Sequence, residues 1–130
     1  MNKLILLVED DRMMQRMALK ILGAHGYRCE TAGNGREAVA RAEQLRPAMI
    51  LMDLSLPEVN GWDATRTLKA NPQLASIPIV ATTAHAMVGD RESALEAGCD
   101  DCLTKPYEIG ELIAMVQRFI GPATEERKSA

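Results

Sequence analysis

The stretch LILLVEDD, residues 4–11, sets five consecutive apolar residues directly against three carboxylates. Five residues is the length of one strand and far short of the ~18–20 apolar residues needed to cross a bilayer. Lys3 followed by this run imitates the start of a secretion signal, but the apolar segment ends in Glu9-Asp10-Asp11, not in a small-residue cleavage site. The reading is a buried strand. Unbroken apolar strands are covered on both faces, the habit of parallel sheets flanked by helices. A second five-residue apolar run, Ala48 to Met52, ends on another acid, Asp53.

Outward from these two runs, weaker strand signals lie at Arg28 to Ala32, Ile77 to Thr82 and Cys102 to Thr104. Each strand is followed by apolar residues at helical spacing. Met14, Ala18, Ile21 and Leu22 share one face, and the helix ends near Gly23 to Gly26. Ala38, Val39, Ala42 and Leu45 share another, with Asn34 as N-cap, Glu37 three residues on, and Pro47 closing it. Ala64 to Leu68 is stopped by Asn71-Pro72, and Arg91 to Ala97 by Gly98. Ile109, Leu112, Ile113, Val116 and Ile120 form the last helix, ended by Gly121-Pro122. Five strands alternating with five helices predict a doubly wound α/β domain with a parallel sheet. Residues 1–121 are read as that one domain, and 122–130 (PATEERKSA) as a disordered tail.

Composition agrees with a folded domain: 130 residues, 47% hydrophobic and 25% charged. A net charge of −3 argues against a nucleic-acid coat, and 3% aromatics against a base-stacking surface. Three cysteines, Cys29, Cys99 and Cys102, are an odd number in a chain large enough to fold without staples, so the expected compartment is the cytoplasm.

In a doubly wound sheet the functional crevice lies beyond the carboxyl ends of the strands. The residues there are Glu9-Asp10-Asp11, Asp53, Thr82-Thr83 and Lys105-Pro106. A nucleotide-binding first loop would be glycine-rich and offer backbone N–H groups to phosphate; carboxylates repel it. Clustered carboxylates repel one another as well, a cost that a hard divalent cation such as Mg2+ relieves. Asp53, at the end of a buried strand beside Mg2+, can attack phosphorus and form an acyl phosphate. The transferred phosphoryl group carries charge on its three equatorial oxygens, which Mg2+, the Lys105 ammonium and the Thr83 hydroxyl with a backbone N–H can meet.

These segments resemble the receiver domains of two-component response regulators: ILLVEDD (5–11), ILMDLSLPEVNGWD (50–63), PIVATTAHAM (78–87) and AGCDDCLTKP (97–106). The resemblance covers residues 3 to 120 and is similar to the chemotaxis regulator, to free-standing regulators and to receivers of hybrid histidine kinases. It implies a flavodoxin-like strand order, 2-1-3-4-5, and a phosphorelay module that takes a phosphoryl group from a sensor histidine kinase or a histidine phosphotransfer protein. Carried over position by position, Asp53 is the phosphoacceptor, and Glu9, Asp10, Asp53 and the Ser55 backbone carbonyl hold Mg2+. Thr83 and Lys105 complete the site, and Lys105-Pro106 is a cis peptide. Asp11 is assigned to starting the first helix, and Ser55 and His85 occupy positions that tune phosphoryl lifetime. The pattern departs at Cys102, where the family carries Tyr or Phe; Tyr107 and Phe119 are the candidate substitutes. The chain begins at a methionine just before the first strand and carries no helix-turn-helix, which favours a stand-alone regulator working through protein contacts, with a phosphorylation-dependent dimer open.

Competing readings are weaker. Cys99 and Cys102 have C-x-x-C spacing, but they flank two aspartates, and a low-pKa redox cysteine needs a helix N-terminus or cations. Zinc bound by that pair with His25 or His85 lacks a second ligand pair at metal spacing. Met13, Met14 and Met17 on the first helix read as core filler, with a solvent-facing one available to a partner, and Trp62 as a packing residue. The alternative function is a Mg2+-dependent phosphatase of the haloacid-dehalogenase type with an aspartyl nucleophile. That class carries D-x-D on strand one, whereas this chain has Glu9-Asp10-Asp11 there and its candidate nucleophile on strand three.

Overall fold

Asp11 opens the first helix because its carboxylate accepts the N–H groups of Met13 and Met14 at 2.9 and 3.1 Å, satisfying donors that have no partner inside the helix. The computed structural model describes residues 3–54, 61–83, 88–105 and 107–122. Ser55, His85, the Lys105-Pro106 bond and residues 123–130 of the expected tail lie outside the described residues.

Strands β1 (Leu4–Val8), β2 (Arg28–Ala32), β3 (Met49–Asp53), β4 (Ile79–Thr83) and β5 (Asp101–Thr104) alternate with α1 (Arg12–Ala24), α2 (Gly35–Leu45), α3 (Gly61–Ala70), α4 (Val88–Ala97) and α5 (Ile109–Ile120). All strand pairs are parallel, in the order β2-β1-β3-β4-β5. The doubly wound α/β expectation and its 2-1-3-4-5 order are both met.

Because side chains alternate across a strand, β1 and β3 feed two cores. Leu6, Val8, Ile50, Met52, Ile79 and Ala81 pack with Ala38 and Ala42 of α2, Ala64 and Leu68 of α3, and Ala94 of α4. Ile5, Leu7, Met49, Leu51 and Val80 pack with Ala18 and Leu22 of α1 and with Leu112, Ile113 and Val116 of α5. Each fully buried Leu or Ile contributes on the order of 1.5–3 kcal/mol relative to exposure. The edge strands β2 and β5 need only partial cover, which is why RCETA and DCLT carry weak strand signals.

Boundaries shift where polar residues replace the apolar pattern. The fourth strand starts at Ile79, not Ile77, because the Ile77 N–H is tied back to the Leu74 carbonyl and Pro78 has no N–H to give the ladder. It runs on to Thr83, whose carbonyl accepts the Lys105 N–H at 2.7 Å. Helices α3 and α4 begin three residues before their first expected residues, in turns without an apolar stripe. Arg46 ends α2 in the left-handed region (φ 48°), and Pro47 blocks continuation.

The carboxyl ends of β1, β3, β4 and β5 thus meet at one edge of the sheet. Backbone bonds tie them together there: Glu9 N–H to Ala32 at 3.0 Å, Leu54 N–H to Thr82 at 3.1 Å, and Lys105 N–H to Thr83. At the opposite edge, Tyr27 Oη donates to the Gly121 carbonyl and Lys3 Nζ to the Pro122 carbonyl, both at 2.6 Å, anchoring the end of α5.

Candidate functional site

Glu9 follows β1, and its side chain is almost wholly buried, as is that of Asp53 at the end of β3. Asp10 is exposed beside them, and oxygens from all three carboxylates come within 4.8 Å of one another. Such a cluster is held against its own repulsion by Lys105, whose Nζ lies 2.7 Å from Glu9 Oε1 and 3.2 Å from Asp53 Oδ2. A single ammonium bridges two buried acids.

The protonation energetics follow from that bridge. Burial pushes the Glu9 carboxyl above its usual value; the Lys105 hydrogen bond works against this, and the Asp53 charge adds to it. Burial alone would lower Lys105, but the hydrogen bond to Glu9 and the charges of Asp53 and Glu9 outweigh it and hold the ammonium above its usual range. Lys105 is therefore charged at neutral pH.

Three carboxylates offering oxygens within this spacing form a hard donor set that fits a hard divalent cation. Among the described residues this is the one group of three or more His, Cys, Asp or Glu side chains placed to hold a metal. Gln15 of α1, which the sequence reading passed over, donates its side-chain N–H to the Glu9 carbonyl at 2.5 Å and braces the acidic loop. Its only sequence signal is its place in the first turn of the helix that follows the acids. Asp11 turns away to cap α1, as assigned, while its N–H donates to Glu9 Oε2 at 3.2 Å.

Thr82 and Thr83 are both buried at the end of β4, with Thr82 in register with Asp53 and Thr83 one step nearer the mouth. Gly61, the first residue of α3, comes so close to β3 that a Cβ there would collide with the Asp53 carbonyl and stand 2.7 Å from Leu54 Cα. Only glycine permits that approach, which fixes the backbone carrying Asp53.

The other singled-out residues also find places. Cys99 is buried beside Thr65, and burial pushes its thiol up to about 11; Cys29 is likewise raised to about 11. An elevated thiol pKa is the reverse of what a redox pair requires. Trp62 packs against the α2–α4 core as a partly buried side chain. Met14 is part of the α1–α5 core, whereas Met13 and Met17 face solvent at 72% and 43% exposure. Cys102 packs on the α2–α4 core, and Phe119 lies on α5 with the Arg118 guanidinium 5.3 Å from its ring centre. Tyr107 is buried just past Lys105, and its hydroxyl is raised first by burial and then by the Glu9 charge, with smaller effects from Lys105 and Asp53. Of the two candidate aromatics, Tyr107 is the one within the field of the site.

No described helix is long and apolar enough to cross a membrane. The family model for the response regulator receiver domain matches residues 5–117. The chain is 37% identical over 123 residues to the polar-differentiation response regulator DivK of Brucella anthropi, covering 95% of this chain and all of that one. It is similar to the receiver domain of the sensor histidine kinase PA1611 from Pseudomonas aeruginosa, solved with a magnesium ion in its active-site cleft. That likeness has a TM-score of 0.86 and 42% identity, over 93% of this chain and 99% of that one. It is also similar to the Saccharomyces cerevisiae Ssk1 receiver, solved with the histidine phosphotransfer protein Ypd1. There the TM-score is 0.84 and the identity 30%, over 91% of this chain and 88% of that one. With an acidic cluster, a bridging lysine and a buried threonine at the carboxyl edge of a 2-1-3-4-5 sheet, the chain belongs to the response regulator receiver domains.

Proposed function

We propose that Asp53 is the phosphoacceptor of this receiver, taking a phosphoryl group from a phosphohistidine on a sensor kinase or phosphotransfer protein. The observation that carries this reading is the Lys105 bridge: a buried carboxylate with an ammonium 3.2 Å from its oxygen, beside two further acids. Asp53 oxygen attacks phosphorus, and the electron pair of the breaking P–N bond returns to the imidazole of the donor. Lys105 then exchanges a carboxylate oxygen for a phosphoryl oxygen, and the Thr83 hydroxyl donates to another.

Glu9, Asp10, Asp53 and the Ser55 carbonyl are the proposed ligands of Mg2+, which when bound supplies charge neutralisation for the anionic phosphoryl group. The donor set is all oxygen, as that ion prefers, and the PA1611 receiver, solved with magnesium, supports the choice. On this reading residues 1–121 are one signalling module in the cytoplasm that acts on no external substrate, catalysing only its own phosphorylation and dephosphorylation. The phosphatase alternative is left behind by family membership and by a nucleophile on β3.

The test is incubation with Mg2+ and a small acyl-phosphate donor, followed by intact mass measurement. Wild type is expected to gain one phosphoryl group and Asp53→Asn none. A phosphoryl adduct persisting on Asp53→Asn would overturn the assignment.

A further inference from the structure

A groove of ≈ 450 Å³ opens between α1, the end of β2 and the start of α2, and apart from Asp10 and Gln15 its lining takes no part in the proposed phosphoacceptor chemistry. Arg12, Arg16 and Arg41 line it, together with Thr31 and the carboxylates of Asp10 and Glu37. Arg12 and Arg16 are exposed, and their guanidiniums make no ion pair with any described residue. They stand one turn apart on α1, a spacing of roughly 5–6 Å between Cβ atoms.

Arg41 differs from them. Its Nε donates to the Thr31 carbonyl at 3.2 Å and one Nη to Glu30 at 3.4 Å. Those bonds fix the plane of the guanidinium and leave its remaining N–H groups for a ligand, so part of the ordering cost is met before binding. Of the two acids, Glu37 is already turned onto the Gly33 N–H at 2.5 Å, and Asp10 belongs to the metal cluster. With Arg41 paired to Glu30, and with α2 capped by Asn34 and carrying Glu37 in its first turn, the cationic groups of the groove without an ion pair among the described residues are Arg12 and Arg16.

We propose that this groove is a second, anion-binding site that takes the diphosphate group of a small phosphorylated molecule, independently of phosphorylation at Asp53. Two guanidiniums one turn apart match two linked phosphoryl groups better than one, and the fixed Arg41 supplies a third set of donors. A lone carboxylate would engage one arginine and leave the others uncompensated.

The probe is inorganic pyrophosphate, titrated in the presence of a chelator and followed by the side-chain Nε–H signals of arginine in two-dimensional NMR. Wild type and Asp53→Asn are expected to bind equally, with shifts at Arg12, Arg16 and Arg41, and monophosphate at least five-fold more weakly. Arg16→Gln and Arg12→Gln are each expected to weaken pyrophosphate at least ten-fold. Lys20→Gln, which removes a charge from α1 outside the groove, is expected to change binding less than two-fold. Equal losses in Lys20→Gln and Arg16→Gln would show general charge attraction and overturn the site. Absence of binding at millimolar pyrophosphate, or shifts confined to arginines outside the groove, would overturn it as well. Because Asp53→Asn is one arm, a failure of the phosphoacceptor reading leaves this result intact.

Discussion

At the scale of single residues, Lys105 has two tasks that compete. It neutralises Glu9 and Asp53 when no metal is present, and it is the proposed partner of the phosphoryl group afterwards. Removing it leaves buried acids uncompensated, which typically costs on the order of 3–5 kcal/mol. Lys105→Ala is therefore expected to lose about 3 kcal/mol of metal-free stability in urea, to bind Mg2+ several-fold more tightly by calorimetry, and to lose any phosphorylation-dependent change. Weaker Mg2+ binding in a folded variant would contradict this division of roles. Glu9 sets a pH signature. Its folded-state pKa lies above 4.5, so the folded chain holds that proton more tightly than the unfolded one. Metal-free stability then falls as pH rises from 4.5 through the folded pKa and levels off beyond it, while Mg2+ affinity rises over the same window. Lys105, raised above 10.5, contributes stability that is present below that pH and lost as pH climbs through its folded pKa. Urea titrations across pH, with and without Mg2+, read both limbs. Gly61→Ala is expected to be among the costliest single-methyl additions, lowering stability by roughly 2–4 kcal/mol and slowing phosphorylation, because backbone atoms of β3 cannot yield as a side chain could.

At the scale of elements, short signals at helix starts were legible and edges were not. Asp11 and Asn34 cap α1 and α2 as their residue types and positions imply, and Asp11→Ala is expected to cost about 1 kcal/mol in thermal denaturation without altering Mg2+ binding. The first turns of α3 and α4 escaped because a helix start needs no apolar stripe, only room and a cap. β2 and β5 gave weak patterns because an edge strand is buried by one neighbour fewer, and Asp101 in β5 is satisfied instead by Arg118 of α5 at 2.8 Å. The C-x-x-C spacing was a decoy of the same origin: Cys99 is a core residue in the turn before β5. With its thiol at about 11, only about one in a thousand is ionised at pH 8, so Cys99 is expected to resist alkylation in the folded protein and react on denaturation. Rapid native modification at Cys99, read by peptide mass, would run against this.

At the scale of the whole molecule, the sheet gathers one acidic edge and tethers the opposite one. Tyr27 and Lys3 hold the end of α5 at the edge opposite the acidic cluster, so the two ends of the domain can be loaded separately. Mg2+ bound only by the folded chain is expected to raise the unfolding midpoint with concentration, the gain in stability being about 2.7 kcal/mol at a hundred-fold excess over its Kd. Asp53→Asn should reduce that gain by removing one of the proposed carboxylate ligands. The sequence by itself determined the alternation of strands and helices, the two-faced burial of β1 and β3, and the identity of the residues at the strand ends. Those features are local, carried by hydrophobic period and by residue type within a few positions of each strand. What only the tertiary structure decided is who touches whom: that one ammonium bridges Glu9 and Asp53, that Gly61 lies on the Asp53 backbone, and that Arg12, Arg16 and Arg41 face one groove. These are contacts between residues up to 96 positions apart, set by how parallel strands register and helices pack, and no local period encodes them.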